Sequence, residues 1–185
     1  MLFRSLGQGV MTALAMVAAE ELDVAPARIR VQTGRTDDGP REFPTVGSLS
    51  MLMSSPAVRV VAAEARYQLL ARAAERFDVD PATLTVDDGV IINPAGNEQI
   101  SYWELLADTQ LDTEATGEAP LKSPHQYKVV GKSITRIDLA AKISGERAFI
   151  QDVDADNLKH ARVIRPPHCE QAINTLDTIA AEQTE

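Results

Sequence analysis

Two short segments of small and polar residues have the composition of an anion-binding site, because each precedes a predicted helix. The first is Gly7-Gln8-Gly9, followed by a helical apolar pattern. Glycines let a bulky group approach the backbone, the first turn of a helix has unpaired N–H groups, and Gln8 adds an amide. A phosphate or oxo group suits this arrangement, and a purely structural turn is the alternative interpretation.

The second segment is Thr45-Val46-Gly47-Ser48-Leu49-Ser50. It offers a glycine and three hydroxyl groups just ahead of helical sequence, with a plain serine N-cap as the alternative interpretation. Both segments are linked through one predicted strand, so the two helix starts could converge on one ligand. We therefore expect an exposed Gln8 within about one side-chain length of Ser48–Ser50.

The remaining candidate groups predict neither a metal site nor a catalytic triad. The histidines His125, His160 and His168 have no partner at helical spacing, and no Ser-His-Asp arrangement is evident. A single cysteine, Cys169, excludes an internal disulfide and a CxxC site. We therefore assign no catalytic residue and no metal ligand to this chain.

Two helix–strand units are predicted to position the candidate segments. Helices are expected over residues 10–22 and 56–76, and each is followed by Asp-Val-x-Pro-Ala and a short strand, at 29–32 and 84–86. The two copies match at a constant offset along the chain. This repetition favours one layered domain, although two unrelated uses of a common turn would give the same pattern.

The sequence after the second unit predicts a hairpin and a short helix. Asp87-Asp88-Gly89 is typical of a hairpin turn, with a return strand over residues 90–92. Ser101 and Glu104 have the spacing of a capping box, and Trp103 is expected in the core.

Residues 107–127 are acidic and contain proline and glycine, which predicts a linker or a long exposed connection. Beyond it we expect short strands at 128–130, 148–150 and 158–164. Residues 173–181 are predicted to form a closing helix or a frayed tail.

The composition is that of a globular protein and lacks the excess of basic residues that is typical of nucleic-acid binders. The 185 residues include 27 acids and 18 bases, for a net charge of −9. Nucleic-acid binders present basic surfaces, and no apolar run approaches the ~20 residues of a membrane span. The apolar stretch over residues 10–19 is also compatible with a short secretory signal, so the compartment stays unassigned.

Several motifs in order along the chain carry a family resemblance. They are Gly7-Gln8-Gly9-Val10-Met11-Thr12, Ala18-Ala19-Glu20-Glu21-Leu22, Thr36-Asp37-Asp38-Gly39-Pro40, Thr45-Val46-Gly47-Ser48-Leu49-Ser50, Val130-Gly131-Lys132, Arg136-Ile137-Asp138, Lys142-Ile143-Ser144-Gly145, Asp152-Val153 and His160-Ala161-Arg162-Val163-Ile164-Arg165-Pro166-Pro167. The chain resembles, over about residues 6–170, the molybdenum-binding large subunit of the xanthine dehydrogenase/aldehyde oxidase family. Within that family it is most similar to the isoquinoline 1-oxidoreductase beta-subunit type.

The resemblance implies a molybdopterin cofactor of the cytosine dinucleotide or a related type. Carried over by position, Gly7, Gln8 and Gly9 would lie at the pterin or its phosphate. The segment Thr45–Ser50 would lie against the same cofactor, with backbone and hydroxyl donors near the molybdenum from Gly47, Ser48, Leu49 and Ser50. The implied activity is oxidation of an aldehyde or N-heterocycle with water as the oxygen source, and a small subunit would carry a [2Fe–2S] centre.

The implied architecture is α+β. A partial molybdopterin-binding domain would span residues 1–118, a linker 119–127, and the opening part of an a/b hammerhead domain 128–185. The family's glycine-rich loop and catalytic glutamate motif do not occur in this sequence. We therefore expect a fragment that is inactive alone, exposes apolar surface, and needs the rest of the large subunit. The alternatives are a non-catalytic domain or a secreted binding domain without a cofactor of its own.

Overall fold

A computed structural model describes most of the chain, and the described residues form two compact units, within residues 1–146 and 147–185. The described residues are 7–32, 45–107, 109–146, 154–163, 165, 175 and 177–182. Each unit is described by itself below, and the candidate segments lie in the first.

The first helix, α1, spans Val10–Leu22, as predicted. Its sequence is rich in Ala, Leu and Met, which are strong helix formers. The helix begins after Gly9 and ends at Asp23, whose backbone N–H caps the carbonyls of Ala19 and Glu20. Its buried apolar face consists of Val10, Leu14, Ala15 and Ala19.

The second helix, α2, spans Ser55–Phe77 and is preceded by a π-helical turn at Ser50–Ser54, which confirms the predicted long helix. The apolar periodicity of residues 56–76 predicts Tyr67 on the buried face of this helix, and that prediction is wrong, because Tyr67 is 53% exposed. The buried face includes Ala62, Leu69 and Ala73, and at about 100° per residue position 67 points roughly 140° away from these three residues.

Three short strands form one antiparallel sheet in the order β1-β2-β3: β1 is Thr85–Asp87, β2 is Val90–Asn93 and β3 is Glu98–Ser101. Ile91 lies opposite Val86 on one side and Ile100 on the other. The predicted hairpin is confirmed: Asp88 and Gly89 both have positive φ, 44° and 80°, as a two-residue type I′ turn requires.

Helix α3 follows the sheet at once and spans Tyr102–Leu105. The predicted capping box is present, since Glu104 N–H donates to the Ser101 hydroxyl and Ser101 N–H to the Glu104 carboxylate. The prediction that Trp103 is buried is wrong. Tyr102 points inward and Trp103, its neighbour, is 49% exposed, with its ring 4.5 Å from the Arg28 guanidinium carbon.

The main core joins α1, α2 and the sheet. It contains Ala19, Val24, Leu69, Ala73, Ala74, Leu84, Ile91, Ile100 and Tyr102. A smaller cluster brings Val10 and Leu14 of α1 against Val58 of α2. Helices packed beside an antiparallel sheet confirm the predicted α+β class.

The predicted strand at residues 29–32 is wrong. Ile29 has extended backbone angles, φ −94° and ψ 119°, but residues 29–32 pair with no strand in the described part of the chain. Residues 23–25, which precede this segment, bind the turn of the β1–β2 hairpin and not the edge of a strand. Gly89 N–H donates to the Asp23 carbonyl at 3.0 Å, and Asp88 Oδ1 accepts from Ala25 N–H at 2.8 Å.

The expectation that strands dominate beyond residue 128 is also wrong for the described residues. The N–H groups of residues 128–130 bind a side chain of α1 and not a strand. Helix α4, Leu139–Ser144, follows in the first unit. Residues 158–163 form no strand, and Val163 is 76% exposed, so no packing supports one.

The predicted strand at 148–150 lies outside the described residues. Helix α5 occupies Ile179–Glu182 and overlaps the end of the predicted closing helix; residues 173, 174 and 176 of that prediction lie outside the described part. The predicted domain boundaries at residues 118 and 128 stay a prediction. No helix among the described residues is both long and apolar enough to cross a bilayer.

Candidate functional site

The start of α1 has the left-handed backbone that its glycines permit. Gly7 and Gly9 have φ values of 87° and 84°, which side chains disfavour. Gln8 is exposed, as expected. The Gly9 carbonyl accepts the first helical hydrogen bonds, from Thr12 N–H at 3.1 Å and Ala13 N–H at 3.3 Å.

The second segment forms a tight turn ahead of the π-helical turn. Leu49 N–H donates to the Val46 carbonyl at 2.9 Å, and Gly47 and Ser48 have φ values of 53° and 58°. Among the described residues with positive φ, Ser48 alone is neither glycine, aspartate nor asparagine. A left-handed serine costs about 1–3 kcal/mol, and such strain is concentrated at functional sites.

The Thr45 hydroxyl is buried without a partner. Thr45 Oγ1 is the one buried side-chain nitrogen or oxygen of the described residues that makes no hydrogen bond. An unsatisfied buried polar atom costs about 1–3 kcal/mol. Two further hydroxyl side chains of this region, Ser50 and Ser54, are also buried. A β-carbon at Gly47 would meet nothing within 4 Å, so the turn borders open space.

The structure brings the starts of α1 and α2 to the same end of the helix pair. Val10, directly after the first segment, and Leu14 pack against Val58 near the start of α2. The π-helical turn also contacts α1. The separation of Gln8 from Ser48–Ser50, and the role of both segments in binding, stay predictions.

Apolar side chains lie exposed beside the second segment. We call this group the apolar patch; it consists of Val46, Met51, Leu52 and Met53. Leu52 is 68% exposed, and the other three lie between 40% and 56%. Contiguous exposed apolar residues mark an interaction surface more often than scattered ones do.

Polar contacts that no sequence pattern predicts hold residues 122–138 along α1. Glu20 is 2% exposed, and its carboxylate accepts the N–H groups of Lys128, Val129 and Val130 at 2.6–3.0 Å. Burial raises the pKa of Glu20, but these three N–H groups and the Lys122 charge lower it below the ordinary value. The available signal was the Glu20-Glu21 pair at the end of an otherwise apolar helix.

Glu21 and Asp23 anchor the same segment by ion pairs. Glu21 is 1% exposed and lies 2.8 Å from Arg59 Nε; it also accepts the Lys122 backbone N–H at 3.2 Å. The Lys122 ammonium, itself buried, lies 2.5 Å from Asp23 Oδ1 and donates to the Glu20 carbonyl. Arg66 approaches both carboxylates, at 3.7 and 3.5 Å. Buried charges require such pairing.

The other end of α1 is covered by Arg136. Its Nη2 donates to the Gly7 carbonyl at 2.9 Å, and Nε and Nη2 bind the two oxygens of Asp138 at 3.0 and 2.9 Å. Lys142 lies 2.7 Å from the same carboxylate. The hydrogen bonds and charges of Arg136 and Lys142 hold the pKa of Asp138 well below its usual range.

Two further features bear on the location of a site. A cavity of about 200 Å³ lies at the carboxyl end of α1, lined in part by Asp23, Asp88 and Lys128. It does not include either candidate segment. No three His, Cys, Asp or Glu side chains in the described part of the chain are grouped to hold a metal ion.

Comparison with known proteins identifies the class to which this fold and these helix starts belong. The family model of the molybdopterin cofactor-binding domain matches residues 3–150. The chain therefore belongs to the molybdopterin-binding subunits of the xanthine dehydrogenase/aldehyde oxidase family, and the expected resemblance is confirmed.

Two relatives within this class are similar to the chain over most of its length. One nicotinate dehydrogenase subunit, from Pseudomonas putida, is 36% identical over 163 residues, which cover 88% of this chain and 14% of that protein. The beta subunit of isoquinoline 1-oxidoreductase from Brevundimonas diminuta is 29% identical over 217 residues, covering 96% of this chain and 28% of that protein. Both are named as subunits, and this chain spans less than a third of either.

A solved structure agrees with this assignment. CO dehydrogenase from Oligotropha carboxidovorans superposes with a TM-score of 0.50 at 25% sequence identity. The match covers 61% of this chain and 15% of that one.

Proposed function

We propose that this chain forms part of the binding site for a molybdopterin dinucleotide cofactor in a molybdenum hydroxylase. The observation that carries the proposal is the buried Thr45 hydroxyl without a partner, in a strained turn at the start of a helix. A bound phosphate or pterin group would supply the missing hydrogen bond. The residues present therefore fit a polar, anionic ligand.

Two segments would hold the cofactor. Gly7, Gln8 and Gly9 offer backbone approach and an amide at the start of α1, for the pterin or its phosphate. Gly47, Ser48, Leu49 and Ser50, together with Thr45, offer backbone and hydroxyl donors from the start of the π-helical turn. Bound there, the cofactor supplies the redox chemistry of substrate oxidation with water as the oxygen source.

The substrate class we propose is an aldehyde or an N-heterocycle. Two relatives are named for the N-heterocycles nicotinate and isoquinoline, and a third is named as an aldehyde dehydrogenase. The cofactor would be of the cytosine dinucleotide type, and a [2Fe–2S] small subunit would accept the electrons.

We further propose that the chain works as one part of a larger molybdenum-binding subunit. It spans 14% and 28% of the two relatives named as nicotinate and isoquinoline oxidoreductase subunits. The apolar patch beside the second segment supports this proposal, because an exposed apolar surface at a binding site requires a covering partner. The rest of the subunit, or a chain supplying it, would provide that cover and the catalytic glutamate.

Thr45→Val tests the proposal. The variant is produced in a bacterial host that makes the molybdenum cofactor, and pterin and molybdenum per chain are measured after purification. We expect at least a roughly fivefold loss of pterin with an unchanged or higher melting temperature, because valine removes an unsatisfied buried hydroxyl.

The matched control is Thr83→Val. The Thr83 hydroxyl has a partner, the Asp80 carbonyl at 2.7 Å, so its loss lowers the melting temperature and leaves pterin content unchanged. Absence of pterin from the unaltered chain, or equal pterin in Thr45→Val and the unaltered chain, would refute the proposed function.

A further inference from the structure

Arg136 reaches the start of α1 from a position 129 residues further along the chain than its partner, Gly7. Its Nη2 donates to the Gly7 carbonyl at 2.9 Å. A β-carbon built on Gly9 would lie 3.4 Å from Arg136 Nε and 3.5 Å from Cζ. The guanidinium therefore covers the backbone of the Gly7–Gly9 turn directly.

The guanidinium is itself held in place. Asp138 binds Nε and Nη2 through its two oxygens, in the paired geometry that arginine and carboxylate favour. Lys142 lies 2.7 Å from Asp138, which makes a chain of three charges. This arrangement restricts the rotation of the Arg136 side chain, so its contact with the turn is a fixed one.

The backbone beside Arg136 binds the same helix start. Ile137 N–H donates to the Thr12 hydroxyl at 3.1 Å, and Thr12 is buried. Thr12 N–H in turn donates to the Gly9 carbonyl. Arg136 therefore binds the turn before α1, and Ile137 binds the first turn of the helix, through independent hydrogen bonds.

We propose that Arg136 is a positioning residue for the cofactor-binding turn. It fixes the left-handed conformation of Gly7 and Gly9, so that their backbone faces the ligand in the arrangement that binding requires. Glycine-rich backbone is intrinsically mobile, and preorganising it removes an entropic cost of binding. The ligand side of this proposal rests on the proposed function, whereas the conformational side does not.

Amide hydrogen exchange of the full chain, measured without cofactor, tests the conformational side. In Arg136→Ala we expect about tenfold faster exchange at Thr12 and Ala13, whose N–H groups bind the Gly9 carbonyl. Exchange at Ala19–Leu22, at the other end of α1, should stay unchanged. Unaltered exchange at Thr12 and Ala13, or an equal rise along all of α1, would overturn the proposal.

Arg28→Ala is the matched control. Arg28 also binds an aspartate through two oxygens, at 2.8 Å each, but its partner Asp88 lies at the carboxyl end of α1. We expect no change at Thr12 and Ala13 in this variant. A rise there as large as in Arg136→Ala would show general loosening and would contradict positioning by Arg136.

Pterin retention of the same variants, produced in the cofactor-making host, tests the ligand side. We expect Arg136→Ala to lose pterin, Arg28→Ala to keep it, and Arg136→Lys to recover part of it, since a lysine ammonium can donate to the Gly7 carbonyl but cannot form the paired contact with Asp138. If the unaltered chain holds no pterin, the proposed function fails while the exchange result still decides the role of Arg136. If Arg136→Lys and Arg28→Ala lose pterin as Arg136→Ala does, the positioning role is refuted.

Discussion

Glu20 is a buried residue of the largely apolar helix α1, and its carboxylate accepts hydrogen bonds from backbone N–H groups. Three consecutive residues, 128–130, turn their N–H groups toward its two oxygens. Hydrogen bonds to a charged acceptor are about twice as strong as neutral ones. A single side chain of α1 thereby replaces the strand partner that residues 128–130 lack.

Glu20→Gln should lower the free energy of unfolding by about 2 kcal/mol, because the amide of glutamine cannot accept from all three N–H groups and presents donors to donors. Denaturant unfolding of the full chain measures this loss. Glu75→Gln, at an exposed position of α2, is the control and should change stability little. A loss no larger in Glu20→Gln than in Glu75→Gln would contradict the structural role of Glu20.

Acid should weaken the same contact. The pKa of Glu20 is below its ordinary value of 4.5 in the folded chain, so the folded state holds fewer protons than the unfolded state at low pH. The contribution of Glu20 is therefore complete above about pH 4.5 and is lost as pH falls through the lowered pKa. Thermal unfolding from pH 7 to pH 3 should show a smaller decrease for Glu20→Gln than for the unaltered chain, and parallel decreases would contradict this assignment.

The candidate binding residues could be predicted from the sequence, but the residues that support them could not. Glycine and serine before a helix are a local signal, visible in three to six consecutive positions. The partners of Glu20 and Arg136 lie more than 100 residues away in the chain. No spacing within one sequence shows such a pairing.

The hairpin and α1 meet at Gly89, which no other residue type could replace without strain. Gly89 N–H donates to the Asp23 carbonyl, and its own carbonyl accepts from Tyr102 N–H at 2.9 Å. A β-carbon there would lie 2.8 Å from Trp103 Cη2 and 3.2 Å from Val24 Cγ1. The ring of the half-exposed Trp103 therefore packs against the turn at Gly89.

Gly89→Ala should destabilise the chain by about 2 kcal/mol more than Gly117→Ala. Both glycines have φ near 80°, so alanine suffers similar backbone strain at each, but a β-carbon at Gly117 meets nothing within 4 Å. The difference between the two unfolding free energies isolates the contacts with Trp103 and Val24. Equal losses would show that these two side chains move aside without cost.

At the scale of elements, the sequence predicts what depends on neighbouring residues. Both long helices, the hairpin and the capping box of α3 follow from helical periodicity, turn residues and an N-cap pattern. The strand expected at 29–32 fails because a strand requires a partner. Its alternating half-buried and exposed side chains are present, but the chain before it is bound to the hairpin tip.

The whole chain carries a net charge of −9 and an uncovered apolar patch, two features with opposite effects on self-association. We expect the isolated chain to associate and to show no aldehyde or N-heterocycle oxidation with an artificial electron acceptor. Turnover by the isolated chain would contradict the proposal that the catalytic glutamate lies in the rest of the subunit or in a chain supplying it.

Replacing the centre of the apolar patch should abolish the association. The variant Met51→Gln, Leu52→Lys, Met53→Gln removes three side chains that are 40–68% exposed, and light scattering should then report a monomer. The control Leu158→Lys, Val163→Gln, Ile179→Gln changes three exposed apolar residues of the second unit. Association lost equally in both variants, or in neither, would show that the patch is not the contact surface.

The contacts between α1 and residues 122–138 join parts of the chain that are synthesised at different times. Helix α1 leaves the ribosome first, yet Glu20 has no N–H partners until residues 128–130 emerge, and the Gly7–Gly9 turn has no guanidinium cover until Arg136 follows. At a synthesis rate of about 5–20 residues per second, the delay is roughly 6–25 seconds. During it, Glu20 depends on contacts of high sequence separation, which form slowly. A ligand of that turn would therefore meet the turn in its covered form only after residue 136 has been synthesised.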